Sequence, residues 1–353
     1  MNCAYKRLAC ATVFATIFGG AYGFSSMLEP PKSPPPTVAK PATPTDPKTD
    51  PKTDPKTDPK TDPKTPPMEC KVPNGSEPTV DLTALDKVDE GCWSELRNKR
   101  VYFAHGTVGT NIVAGLCAVQ CRKVDIKLDA IGYCEPDKTD AAPRSVFDSP
   151  GIFDAQSGKA GNPEQKIDEF AKFLRSPEGT KVDIALLKFC YSDIGRTTDT
   201  DALVDRYGKM VEQLKRDRPD LRIITCTVPL KSEESGAKAR MKKLVGAGSD
   251  ASNAARGRYN DAIRKRFPAS QVFDIAATES RKPDGGEATV NVGGKRVQTL
   301  AAEYTEDGAH LNQTGQMLLA REFLLALTKQ CRGAAEPAPT VGGAFGADEP
   351  GGK

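Results

Sequence analysis

From residue 99 onward, short apolar runs alternate with longer stretches whose apolar residues recur at helical spacing. Val101-Tyr102-Phe103-Ala104 reads as a strand, residues 111–121 as an apolar helix, and residues 124–133 as the next strand. Asn162-Pro163 opens a helix through Arg175. Ile167, Phe170, Phe173 and Leu174 share one face of it, and Pro163 sits in the first turn, where a missing N–H costs nothing. Residues 182–191 are almost wholly apolar, as a strand covered on both faces requires. Residues 200–217 predict a charged amphipathic helix stopped by Pro219, and residues 221–228 a second buried strand ended by Pro229. A basic helix over 252–267, a short strand over 271–275 and a hairpin over 289–300 about Gly293-Gly294 follow. Asn312 caps a last helix running to Lys329, with Met317, Leu318, Phe323, Leu324 and Leu327 on its inner side. This alternation predicts a parallel sheet with helices on both faces, and ligands then bind where the strands end.

Both ends of the chain lack the pattern. Residues 30–67 are dominated by Pro, Thr, Lys and Asp, and residues 333–353 by Gly, Ala and Pro. Neither stretch buries enough apolar surface to offset the entropy of ordering it. Residues 45–64 repeat Thr-Asp-Pro-Lys five times. Pro at every fourth position stiffens such a spacer, which extended would reach on the order of 110 Å at ~3.1 Å per residue. At the N-terminus, Lys6-Arg7 precedes an uncharged run from Leu8 to Phe24 with small residues at Ala21-Tyr22-Gly23. That is the layout of a signal peptide, and an uncleaved membrane anchor is the other reading, which the long spacer favours. Four segments result: a signal peptide or anchor (1–29), a disordered Pro-rich tether (30–69), one α/β domain (70–332) and a disordered tail (333–353). The chain is expected outside the cytoplasm, secreted or held at the cell envelope by its N-terminus.

Composition narrows the function classes. A formal charge of +3 over 353 residues is too small for a nucleic-acid binder. Eight of ten Cys lie beyond the leader. Cys190 and Cys226 sit in apolar runs and read as small buried hydrophobes, while Cys70, Cys92 and Cys331 flank the domain and suit disulfides in an oxidising compartment. Cys117 and Cys121 have metal-like spacing but no companion His or second Cys pair, so no zinc site is expected. Asn253, Arg256, Tyr259 and Asn260 share one stretch of the 252–267 helix, as contacts to a site or as a solvated face.

Two His occur, His105 and His310. His310 follows Asp307 by three residues in a polar loop before the last helix, a spacing that lets the carboxylate accept from the imidazole and fix its tautomer. Val101-Tyr-Phe-Ala-His-Gly-Thr-Val-Gly-Thr-Asn-Ile112 takes a strand through a Gly-bearing turn into a helix. It presents the Thr107 hydroxyl beside N–H groups that favour negative charge. His105 itself reads as a hydrogen-bond partner of that turn.

Together these blocks, over residues 99–329, resemble the SGNH/GDSL ester hydrolases, whose first block carries a nucleophilic Ser and whose last is Asp-x-x-His. The resemblance implies a three-layer α/β/α sandwich with a mostly parallel, flavodoxin-like sheet of about five strands. It also implies Asp307 orienting His310, His310 as general base, and Thr107 in the nucleophile position where the family has Ser. The family's oxyanion Gly corresponds to Gly161 before Asn162, with Gly151 and Gly158 as rivals. Its Gly-x-Asn-Asp block falls on Phe189-Cys190-Tyr191-Ser192-Asp193 without the Gly or the Asn, so Ser192 or Asn162 would supply the missing donor. The activity implied is an extracytoplasmic acyl or acetyl esterase acting on a small-molecule or polysaccharide ester, with no metal or cofactor. The alternative is an inactive domain of this family that serves as a tethered glycan- or protein-binding module.

Overall fold

A computed structural model describes residues 80–123, 125–126, 128, 146–233 and 249–331. In chain order these form α1 (Thr83–Asp86), α2 (Glu90–Arg97), β1 (Arg100–His105), α3 (Thr107–Arg122), β2 (Gly151–Gln156), α4 (Pro163–Leu174), β3 (Ile184–Leu187) and α5 (Thr200–Asp217). They continue with β4 (Arg222–Cys226), α6 (Ser249–Arg266), β5 (Val272–Phe273), α7 (Ile275–Ser280), β6 (Thr289–Val292), β7 (Lys295–Gln298) and α8 (Gln313–Thr328). Strands β1 to β5 make one parallel sheet in the order β2-β1-β3-β4-β5, and β6-β7 is a separate antiparallel hairpin. The sheet order is the flavodoxin-like one, in which the winding reverses between β1 and β3 and opens a crevice at their carboxyl ends.

The layers follow from the two-residue period of strands. Val101 and Phe103 of β1, Ile184 and Leu186 of β3 and Ile224 of β4 join one apolar cluster, packed with α2, α3 and α8. Tyr102, Ala104, Ala185, Leu187 and Ile223 point the other way and pack with α4, α5 and α6. The result is the expected three-layer α/β/α sandwich. Cys92 of α2 and Cys331 just beyond α8 form a disulfide that closes a loop of 239 residues in sequence. Cys117 and Cys121 are also disulfide-bonded, whereas Cys190 and Cys226 are free and buried.

Three differences from the sequence reading carry physical lessons. Helix α3 starts at Thr107 rather than residue 111, because Gly106 ends β1 in an extended conformation and the helix follows at once. Most of the strand expected at 124–133 lies outside the described residues, and Asp125-Ile126 form a turn. Beside β1 lie β2, paired from Arg100–Gly151 to His105–Gln156, and β3. The apolar stretch of β2, Ile152-Phe153, is too short to stand out by pattern. The solvated reading of Asn253, Arg256, Tyr259 and Asn260 is overturned, since all four are buried. Asn260 holds both backbone groups of Val228, and Asn253 both of Lys231, so these polar side chains stitch α6 to the segment after β4. Residues 1–79 and 332–353, which include the leader, tether and tail, lie outside the described residues.

Candidate active site

The Asp307–His310 geometry is built by one turn. Gly308 adopts φ +79°, the left-handed region open to glycine, and its N–H donates to Thr305 Oγ1 at 2.9 Å. The chain therefore doubles back, and Asp307 Oδ1 accepts from the N–H groups of Ala309 (2.8 Å) and His310 (2.7 Å). The other oxygen, Oδ2, takes a 2.6 Å hydrogen bond from His310 Nδ1. Partial burial pushes the Asp307 carboxyl up, but the His310 ring and these two N–H groups outweigh it and hold the acid far below its usual range. Asp307 is thus a fixed anion, and with Nδ1 bound to it the imidazole keeps Nε2 as its proton-accepting nitrogen. Both side chains are exposed. The loop is moored to α3, where Asn111 Oδ1 accepts from the Leu311 N–H at 3.3 Å, and the His310 ring meets the Tyr191 ring edge-on at 6.2 Å.

Thr107 is the first residue of α3 and is exposed at the carboxyl end of β1. Gly109 N–H folds back to Gly106 O at 2.8 Å, which leaves the N–H groups of Thr107 and Val108 without intrahelical acceptors. Below them His105 is buried, with Nδ1 2.8 Å from Gly106 O and Nε2 3.0 Å from Asp154 Oδ2. Both ring nitrogens face acceptors, so His105 braces the turn from inside. A Cβ at Gly109 would overlap that ring, which is why the helix carries no side chain there.

The third wall follows β3. Thr107 Oγ1 lies 3.5 Å from Cys190 Sγ. Asp193, fully buried, accepts from Lys166 Nζ (2.6 Å), from the Cys190 N–H (2.6 Å) and from the Gly161 N–H (2.7 Å). One carboxylate therefore ties α4, the Gly161 turn and the segment after β3 together. The Gly161 N–H is spent on this bond; those of the rivals Gly151 and Gly158 go to Lys99 O (2.9 Å) and Glu169 Oε2 (2.7 Å). Asn162 Oδ1 caps α4 by accepting from the Gln165 N–H at 3.0 Å, and Ser192 is exposed beside Cys190. The structure thus sets Thr107 after β1 and Ser192 after β3, seats the His310 ring against Tyr191 with its loop tied to α3, and commits the three candidate glycine donors elsewhere.

Beneath this surface runs a buried polar seam that the sequence reading missed. Lys188, directly after β3, is fully buried, and its Nζ has no hydrogen-bond partner among the described residues. Burial raises the Glu279 carboxyl to about 8 despite the Leu230 N–H, Lys188 and Arg256 around it. Burial also lowers Arg256 to about 10; its guanidinium donates to Tyr191 O (2.9 Å) and Asn253 Oδ1 (2.6 Å), and lies 5.9 Å from the Tyr191 ring. A Lys between the apolar residues 184–187 and Phe189 was its one signal in the sequence. Beside Gly161 and Asp193 opens a cleft of about 680 Å³, which Asp199, Arg206 and Lys209 also line; Thr107 and His310 are not among its walls. Among the described residues no cluster of three or more His, Cys, Asp or Glu is placed to hold a metal.

No family model and no curated protein matches this chain. Esterases recur among its structural neighbours. An acetyl xylan esterase aligns at 15% identity and TM-score 0.36, over 64% of this chain and 98% of its own. A carbohydrate esterase of family 3 from Talaromyces cellulolyticus aligns at 14% identity and TM-score 0.38, over 66% and 100%. An acetyl esterase mutant with bound acetate ion aligns at 13% identity and TM-score 0.36, over 65% and 97%.

Proposed function

We propose that this protein is an extracytoplasmic ester hydrolase that removes acyl or acetyl groups from a carbohydrate. The observation that carries the reading is the 2.6 Å Asp307–His310 bond in a loop moored to the helix that presents Thr107. In the reaction, Thr107 Oγ attacks the ester carbonyl while His310 Nε2 takes its proton, and Asp307 steadies the imidazolium. The tetrahedral oxyanion is met by the Thr107 and Val108 N–H groups at the positive end of α3. Collapse expels the alcohol with the proton from His310, and water repeats the cycle on the acyl-enzyme. The Cys92–Cys331 disulfide supports a location outside the cytoplasm. The carbohydrate assignment rests on the family resemblance and on export.

The committed N–H groups of Gly151, Gly158 and Gly161 favour a second reading, in which the scaffold binds a glycan or protein without turnover. Acetate release from an acetylated polysaccharide by the full chain separates the two. Release that ends in Asp307→Asn supports the hydrolase. Polysaccharide binding with no release, by the wild type and Thr107→Ser alike, sinks it in favour of the binding module.

A further inference from the structure

The Asp307 bond holds His310 at one ring atom, Nδ1, in a loop where both side chains are exposed. A single hydrogen bond fixes that atom but not the plane of the ring. What stands against the ring itself is Tyr191, at 6.2 Å between ring centres and 76° between planes. Edge-to-face pairs of this geometry are attractive and directional. Tyr191 is itself secured. Its side chain packs against the apolar cluster that β1, α3 and α8 share. Arg256 of α6, 4% exposed, donates from Nε to the Tyr191 carbonyl at 2.9 Å, and its guanidinium carbon lies 5.9 Å from the ring centre. The Lys231 ammonium lies 5.5 Å from the same centre, so two cations are drawn to this one aromatic face system.

The same guanidinium reaches the His310 loop by a second route. It donates to Asn253 Oδ1 at 2.6 Å. Asn253 in turn accepts from the Lys231 N–H at 3.1 Å and donates to the Lys231 carbonyl at 2.7 Å. The next residue, Ser232, donates its N–H to the carbonyl of Gly308, between Asp307 and His310, at 3.0 Å. Buried polar groups of α6 therefore join the segment after β3, which carries Tyr191, to the segment after β4, which holds the His310 turn.

We propose that Tyr191 is a positioning residue for His310: its ring fixes the imidazole plane, while the buried Arg256–Asn253 pair keeps Tyr191 and the His310 turn in register. The effect on turnover rests on the esterase reading; the effect on the imidazole does not. A tilt of the imidazole carries Nε2 away from the proton it must accept, and proton transfer is efficient only within hydrogen-bond reach. The contact is ring to ring, so the role needs the aromatic ring of Tyr191 and not its hydroxyl.

The test compares the full chain as wild type, Tyr191→Phe and Tyr191→Leu, with folding checked by circular dichroism; should Tyr191→Leu not fold, Tyr191→Met takes its place. Two readouts are taken: kcat and KM on a chromogenic acetyl ester, and the long-range proton–nitrogen spectrum of the neutral imidazoles. The chain has only His105 and His310, so His310→Ala assigns the spectrum. Tyr191→Leu should lower kcat about three- to tenfold with KM unchanged. Its His310 nitrogen shifts should move from those of the Nδ1-protonated tautomer toward the mixture of a free imidazole. Tyr191→Phe should keep both the rate and the spectrum. Unchanged His310 shifts in Tyr191→Leu, a loss in Tyr191→Phe as large as in Tyr191→Leu, or a change confined to KM would each overturn the proposal. A wild type without turnover would count against the esterase reading alone, and the imidazole spectra then decide for or against Tyr191.

Discussion

Asp307 shows how much work one short side chain does when the backbone beside it is bent. Four hydrogen bonds converge on its two oxygens, two from N–H groups within three residues, one from the Thr305 hydroxyl and one from the His310 ring. The carboxylate is therefore fixed against the imidazole by its own turn. This is why the pair was legible from Asp-x-x-His and a Gly between its members. The partners of Thr107 were not legible. Cys190 read as a small buried hydrophobe because its apolar neighbours dominate the pattern, yet its sulfur borders the reactive surface. Lys188 and Glu279 escaped for a related reason, since sequence shows a charged residue but not which face of the sheet receives it. Glu279 also has a consequence for stability. Burial raises its folded value to about 8, well above an unfolded Glu near 4.3, so the native state holds a proton that the unfolded chain releases. Stability should then be greatest at low pH within this window and fall between about pH 5 and 8, by up to about 1.4 kcal/mol per pH unit. Glu279→Gln keeps an oxygen for the Leu230 N–H and abolishes the titration. Urea midpoints at pH 5.5 and 8 should diverge in the wild type more than in the variant. Parallel behaviour of the two proteins would refute the buried-acid account.

Among the elements, those covered on both faces were the easiest to read, and those with one polar face the hardest. Strands β3 and β4 stood out because Ile184–Leu187 is wholly apolar and Leu221, Ile223, Ile224, Cys226 and Val228 recur in and around β4. Strand β2 did not, because half of it, Asp154-Ala155-Gln156, is partly open to solvent or the site. Helix α6 misled for the opposite reason. Polar residues on its inner side are buried, where Asn253 and Asn260 satisfy backbone groups that have left the sheet after β4. Helix α3 shows what close packing demands. A Cβ at Gly115 would overlap the backbone carbonyl of Gln316 in α8, so the two helices meet backbone to backbone at that point. A carbonyl inside a helix cannot swing aside as a side-chain tip can. Gly115→Ala should therefore cost a net ~1–2 kcal/mol, after the helix-propensity gain of alanine. Thermal unfolding should move down by about 2–8 °C. An unchanged or raised transition would show that α3 and α8 are not pressed together at Gly115. Because α3 presents Thr107 and α8 follows His310, the same substitution bears on the spacing of the site.

The whole molecule places its chemistry where the topology leaves a gap. With the order β2-β1-β3-β4-β5, the carboxyl ends of β1 and β3 are adjacent while their following segments diverge. Thr107 follows one strand and Cys190 the other, and the loop before α8 brings Asp307 and His310 to the same end. The alternation of elements was enough to foresee this architecture and the end of the sheet that matters. It was not enough to foresee that Asp193 consumes the Gly161 N–H, because that bond joins residues 32 positions apart, with buried Lys166 on the other carboxylate oxygen. The Cys92–Cys331 link closes almost the whole described domain into one loop. The central claim is that this assembly performs acyl transfer with His310 as its base. Its most direct test is hydrolysis of a chromogenic acetyl ester by the full chain, wild type against His310→Ala. We predict measurable turnover that falls by about 10²–10⁴-fold in the variant. Turnover that is equal in the two proteins, or absent from the wild type, would contradict it.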